Sequence, residues 1–431
     1  MVAALLGSLA VHAAGAQIAL PDPGPAASSA AAQPKLITAW THEDANSPQF
    51  QVLRQAAENF NRQQRSYQVR MVSSVRRIYE HWIHSEAATG SLPCLLEFDG
   101  PYLPAFAWPG YLQPIDRFVP ADTLRDFLPS IVAQGTYRGR LYSLGQYDSA
   151  MGLWGNRRYL QAAGVRIPTL ATPWNVEEFE QALEKLAALK EVDYAISLGL
   201  HNKPSGEFFS YAYAPILQGF GGDLIDRRAY RSAKGVLDGP QSVTAMTHFQ
   251  RWVQQGWARG ATARFDDFDK RKAALSWIGS WAYQRYHKAL GEDLVLLPVP
   301  DFGKGIKTGM GSWAWGMSST CREPAGAWAF LAHLLSDQEI LNMTSVNNGI
   351  PARRSAMAQS PLYGAEAPLR FYVRQLEAGG VPRPATPAYE TISKAFGEAV
   401  ARIAAGADVQ AELSKAAAII DQNIAAHRGY P

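Results

Sequence analysis

KLITAWTHEDANSPQFQVLRQAAENFNRQQRSYQVRMV, residues 35–72, carries the periodicities that set the fold. Lys35–Trp40 alternates and is rich in β-formers, which predicts a first strand. Ser47-Pro48 then opens a helix, with proline at its first position. Phe50, Leu53, Ala57 and Phe60 follow at helical spacing and form its apolar face. Tyr67–Val72 predicts a second strand. Working outward, a helix is expected around Tyr79–Ala88, and a short apolar strand at Leu92–Phe98 runs into Asp99-Gly-Pro-Tyr102. This β-α-β-α-β alternation with short connections predicts an open, mostly parallel sheet with right-handed crossovers. Ligands of such sheets sit beyond the carboxyl ends of the strands. Here those tips are Trp40–Asp44 and Glu97–Tyr102.

Tyr137–Pro168, YRGRLYSLGQYDSAMGLWGNRRYLQAAGVRIP, starts with a hairpin around Gly139 and continues as an extended run from Leu144 to Trp154. Asp148 sits inside that run, with no basic residue nearer than Arg140 and Arg157. A carboxylate among apolar neighbours must be hydrogen-bonded or it costs several kcal/mol. Two readings stay open: it caps backbone amides, or its oxygens face a polar ligand. The pattern then restarts. Helices are expected after Pro173-Trp174-Asn175, after Gly239-Pro240 (with Val243, Met246, Phe249 and Val253 inward) and after Glu323-Pro324. Strands are expected at 194–200 and 293–300, and two helices split at Gly406 close the chain. Two αβ units joined by more than one crossing predict a bilobed molecule with a cleft.

A chain of 431 residues, 47% apolar and 18% charged, has ample material for full-sized cores. Its net charge of +3 is small, and its basic residues are scattered. Neither a nucleic-acid stripe nor a membrane-binding patch is indicated. Residues 1–16 form a small apolar segment ending Ala14-Gly15-Ala16, which fits a signal peptide, and residues 17–34 form a Pro/Ala/Ser-rich lead-in expected to be disordered. The mature chain is therefore expected to be a soluble, exported protein. The two cysteines, Cys94 and Cys321, leave a disulfide open, because sequence does not give their separation. They do not form a zinc-ligand pattern.

The candidate site residues are Glu43, Asp44, Glu97, Asp99, Tyr102, Asp148, Tyr211, Trp281, Tyr283 and Trp313. Carboxylates at strand tips suit sugar hydroxyls, and flat aromatics suit the apolar faces of pyranose rings. Two such carboxylates would also serve a glycosidase at the right separation. Serine-elbow, zinc-protease, phosphate-loop and dinucleotide motifs are absent, so no cofactor is expected.

The ordered set of motifs resembles the extracellular solute-binding proteins of ATP-binding-cassette sugar importers, the family that includes maltose-binding protein. The resemblance runs over about residues 35–425. It comprises the ITAW strand with Glu43-Asp44, Asp99-Gly-Pro-Tyr102, Gly110–Asp116, Tyr137–Tyr142 and Gly145–Ser149. Leu153–Asn156, Gly221–Asp226, Gly279-Ser-Trp281, Gly311–Gly316 and Gly349–Arg353 complete it. Cys94 and Ala274-Leu275-Ser276 depart from the usual pattern, as does the absence of an anchoring cysteine after the apolar leader. The resemblance implies an α/β fold of two lobes joined by three hinge crossings around a ligand cleft. Lobe one would comprise 36–145 plus 297–350, and lobe two 146–296 plus 351–431. Asp44, Asp99 and Asp148 would bond hydroxyls, and Trp281 and Trp313 would stack on rings. Tyr102, Tyr211 and Tyr283 would form the rim. Arg353 would be a fork donor or pair with a lobe-two carboxylate. The implied function is periplasmic capture of a neutral sugar of one to three rings, or a sugar alcohol, by a monomer that delivers it to a membrane permease without chemistry. An exported hydrolase or lyase, and an adhesin or sensor on the same scaffold, are the alternatives.

Overall fold

The computed structural model describes residues 33–74 and 79–431; the leader and all but the last two residues of the lead-in lie outside them. The first strand spans Lys35–Thr41, and the helix after it spans Pro48–Gln63. The Ser47 hydroxyl accepts from the Phe50 amide and so satisfies one of the free amides at the helix start. Phe50, Leu53, Ala57 and Phe60 are buried, as their spacing requires. Tyr67–Ser73 and Leu95–Asp99 pair in parallel on either side of the first strand.

The sheet of lobe one is mixed. Trp313–Ser318 returns from far along the chain and runs antiparallel to Leu95–Asp99, with Trp313 opposite Asp99. Ser143–Leu144 and Leu112–Gln113 also pair with it. A disulfide joins Cys94, just before the Leu95–Asp99 strand, to Cys321, just after Trp313–Ser318. Both cysteines lie in lobe one, 227 positions apart in sequence, and the segment between them includes the 146–296 part of lobe two. The question left open by sequence is thus answered by strand adjacency, which only the fold supplies.

The second sheet has the order Tyr194–Ser197, Ala273–Gly279, Met151–Asn156, Leu294–Leu297. Its first pair is parallel and the other two are antiparallel, so it is not the mostly parallel sheet expected of a repeated β-α-β unit. One face packs on the helices Val176–Ala187, Phe208–Gly219, Pro240–Gln254, Tyr389–Ala404 and Val409–Ala426. The other is covered by Tyr286, Met357, Tyr363 and Tyr372. In the Pro240–Gln254 helix Met246 and Phe249 are buried, whereas Val243 and Val253 are half-buried. The inward stripe is rotated because Trp252 is buried and its indole NH donates to Glu180 at 2.9 Å.

Three crossings join the lobes, and one differs from its expected place. The first runs through Tyr147–Asp148 and the third through Ile350–Pro351; these two segments pair antiparallel as a hinge ribbon. The second was expected near Leu294–Pro298. In the structure Val299, Phe302 and Ile306 remain in the core of lobe two, and lobe one resumes only near Trp313. Asp301 accepts from the Gly303 and Gly305 amides, which turns the chain back so that Phe302 packs on Phe179, Phe220 and Trp252. The strand expected over 293–300 ends at Leu297, and Pro298-Val299-Pro300 leads into this buried turn. Lobe two also reaches across at its end: Trp108 of lobe one packs on Tyr430 at 5.0 Å between centroids.

Candidate functional site

The carboxyl ends of the two central parallel strands of lobe one lie side by side, and their side chains build one half of the site. His42 stacks on Trp313 with centroids 3.2 Å apart and planes 5° from parallel. Its Nδ1 lies 2.9 Å from Glu97 and its Nε2 3.0 Å from Glu43. Burial alone would lower the imidazole pKa, but the charges of Glu97 and Glu43 and their hydrogen bonds outweigh it and raise it. Thr41 donates to the same Glu97 oxygen. Ser47 donates to Glu43 at 2.9 Å, so the Glu43 and Glu97 carboxylates hold the strand tip together. Asp44 is exposed and accepts from the Asn46 amide.

Asp99 binds a partner that sequence reading missed. Arg383 approaches from lobe two and makes two parallel bonds to it, 2.8 and 3.0 Å long. The same guanidinium lies 2.7 Å from Glu207 at the start of the Phe208–Gly219 helix. Tyr389 and Ser393 both donate to Glu207, and the Arg383 guanidinium sits 5.0 Å above the Tyr211 ring. Burial would lower the Arg383 pKa, but Asp99 and Glu207 push it well above its ordinary value. Burial raises that of Glu207 against the pull of Arg383. Tyr102 of lobe one packs edge-on against Tyr389 of lobe two. One cation thus joins a lobe-one carboxylate to a lobe-two carboxylate. The available signal was local: Arg383 stands between Pro382 and Pro384, a stiff extended segment that presents its side chain at low entropic cost.

Asp148 lies on the hinge ribbon and is completely buried. One of its oxygens accepts from the Ser149 and Gly311 amides, both at 2.8 Å. Burial raises its pKa, which these amides and the Ser130 hydroxyl partly offset. Oδ1 thus caps backbone amides, whereas Oδ2 is buried with no hydrogen-bond partner among the described residues. Ser149 donates to the Gly311 carbonyl and meets the Tyr211 hydroxyl at 2.9 Å, so Tyr211 is anchored to the second crossing. Arg353 bonds Asp126 at 2.8 Å and lies 3.1 Å from Asp337. Both carboxylates lie on helices of lobe one, so neither the fork-donor reading nor a lobe-two partner is what the structure contains.

Trp281 is 39% exposed and faces Tyr211 at 5.9 Å. Tyr283 stacks on Trp154 and His287, away from the Asp99–Arg383 pair. Thus Asp99 and Tyr211 contact Arg383, while Tyr102 adjoins the cluster through Tyr389 and Trp281 through Tyr211. Glu43 and Trp313 border them through His42, whereas Asp44, Asp148, Tyr283 and Arg353 are engaged elsewhere. On the lobe-two side of Arg383, a void of about 10 Å³ is lined by Ser210, Tyr211, Gln218, Arg227 and Pro382.

Two α/β lobes hinged on a paired-strand ribbon, with polar and aromatic side chains between them, define the clamshell class of binding proteins. Residues 55–368 match the pattern of the bacterial extracellular solute-binding proteins, and the chain belongs to that family. It is 24% identical over 296 residues to an uncharacterized lipoprotein of Streptomyces antibioticus, covering 66% of this chain and 64% of that one. It is 22% identical over 270 residues to the maltotriose-binding protein of Pyrococcus abyssi, covering 60% of this chain and 54% of that one. The chain therefore spans less than two thirds of the length of these relatives. The sugar-binding protein MalE of Xanthomonas citri shares its fold, with a TM-score of 0.77, 18% identity and coverage of 91% of this chain and 98% of that one. Among the described residues no helix is long and apolar enough to cross a membrane.

Proposed function

We propose that the chain captures a neutral sugar of one to three rings, or a sugar alcohol, between its lobes outside the cytoplasm. It hands this ligand to the permease of an ATP-binding-cassette importer and performs no covalent chemistry. The observation that carries this reading is the half-exposed Trp281 ring beside Tyr211 and the Asp99–Arg383 pair. A flat apolar platform there adjoins both a hydroxyl acceptor and a fork-shaped donor. With Arg383 of lobe two bonded to Asp99 of lobe one, a sugar enters there only when the lobes part, and it then replaces protein–protein bonds with protein–ligand ones. Ligand binding thus biases an open–closed equilibrium. The maltotriose-binding relative supports a saccharide as the ligand class.

The test is thermal unfolding against a panel of mono- to trisaccharides and sugar alcohols, with each mixture assayed for product. A ligand at about 100 times its Kd should stabilise by roughly 2.7 kcal/mol and be recovered intact. New reducing ends would instead establish the hydrolase alternative, and a panel without any shift would remove sugars as the ligand class.

A further inference from the structure

Away from Trp281, a second groove opens between the lobes. It measures about 320 Å³, within the range of small-molecule sites. The lobe-one hairpin supplies Thr136 and Arg138, and lobe two supplies Tyr230, Arg231, Thr386 and Tyr430. Its lining contains an arginine from each lobe and no carboxylate. Both arginines are exposed, and among the described residues neither has an acidic partner. Arg138 donates to the Tyr430 carbonyl at 2.9 Å, and its guanidinium lies 5.3 Å over the Tyr137 ring.

The backbone adds a second observation. Arg138 (φ 49°), Tyr230 (φ 53°) and Tyr430 (φ 55°) are all left-handed, and all three line this groove. L-residues with side chains adopt that conformation uphill, and such strain gathers where side chains must be aimed. Gly429 beside them has φ 75°, and a Cβ there would lie 1.9 Å from the Arg231 guanidinium. The turn is therefore shaped to let that arginine lie across it.

We infer that this groove is a second ligand site, for a small oxyanion: a phosphate or carboxylate, free or carried on a sugar. Two guanidinium forks facing one concavity match the geometry of such oxygens. Because its walls come from both lobes, an anion bound there holds them together, independently of the neutral-sugar reading above.

Isothermal titration of the full chain with sodium phosphate, glucose 6-phosphate and glucuronate, at constant ionic strength in chloride, tests this. The wild type is expected to bind at least one probe saturably. R138Q and R231Q should each weaken it by roughly tenfold and the double variant by more, as expected for lost charge-assisted bonds. R322Q, an exposed arginine elsewhere on lobe one, should bind as the wild type does. Equal binding of phosphate and glucose 6-phosphate assigns recognition to the anion alone, and tighter binding of the latter adds the ring. Absence of saturable binding in the millimolar range, equal loss in R322Q, or unchanged binding in the double variant would each overturn the site. Neutral-sugar thermal shifts measured on the same folded variants keep the two readings apart. A double variant that lost both would place the groove within the sugar cleft and overturn its independence.

Discussion

Asp99 and Asp148 are both enclosed carboxylates where the lobes meet, yet they are satisfied in opposite ways. Asp148 is held by backbone amides from two interlobe crossings, so its bonds belong to the hinge and hold whichever way the lobes swing. Asp99 is held by the side chain of Arg383 from the other lobe, and those bonds break whenever the lobes part. A carboxylate that ties backbone to backbone is architecture. One that ties lobe to lobe through a movable guanidinium is exchangeable with a ligand. Replacing Arg383 tests the contrast with the largest expected effect. R383M leaves Asp99 and Glu207 facing each other without their cation, and removing one partner of a buried pair typically costs about 3–5 kcal/mol. Urea unfolding of the ligand-free protein should show a loss of that order. A loss below about 1 kcal/mol would mean that the lobes open and rehydrate both carboxylates. A larger radius of gyration in solution scattering would accompany that outcome, and an unchanged one would refute the bridging role.

Most of lobe one was legible because local signals agree with the fold: alternation at Lys35–Thr41, the Ser47 cap and the apolar stripe from Phe50 to Phe60 point the same way. The course of residues 299–306 was not, because it depends on Asp301 folding the chain back and on a pocket of aromatics for Phe302. The candidate site divides similarly. Strand-tip reasoning reached Asp99 and Tyr102, since position along a strand is a local property. It did not reach the partners of Asp148 and Arg353 at Gly311, Asp126 and Asp337, which are remote in sequence. It missed Arg383 and Glu207 because neither lies at a strand tip and each has meaning only through the other. Burial patterns can be read from one segment, but pairing across 284 positions cannot.

A smaller effect is expected at Asp148 itself, and it sharpens the comparison. D148N keeps an oxygen for the Ser149 and Gly311 amides but loses the charge that strengthens those bonds. It also relieves the burial of that charge, so the two changes oppose each other. The net loss should be about 1–3 kcal/mol or less by urea unfolding, with affinity for any sugar that binds the wild type changed by no more than a few fold. D99N should show the reverse pattern, with affinity falling more than stability. If D148N abolished binding in a folded protein, Asp148 would be a ligand contact and the contrast between the two aspartates would fail.

The smallest effect is a pH dependence, centred on a third arrangement intermediate between those two. Glu43 and Glu97 clasp a cation that can titrate, His42. Its folded pKa is raised above the ordinary 6.5, so between 6.5 and that value the folded protein binds more protons than the unfolded chain. The stability it contributes is fully present below 6.5 and is lost as pH rises through the folded pKa. Asp148 is also raised, by burial, so its own decline with pH opens at 3.8, and H42Q retains it. His201 is lowered by burial and by Arg285, and it acts below 6.5 with the opposite slope. The difference between the wild type and H42Q just above 6.5 therefore isolates His42. Urea midpoints of the wild type should decline across that interval, and those of H42Q should be flatter. H42Q should also weaken sugar binding modestly, by loosening Trp313 where it stacks on the imidazole. A wild-type midpoint that stayed level there, with H42Q parallel to it, would show that His42 is uncharged in the folded protein. The strand tip would then be held by neutral hydrogen bonds, as rigidly as the hinge is held at Asp148.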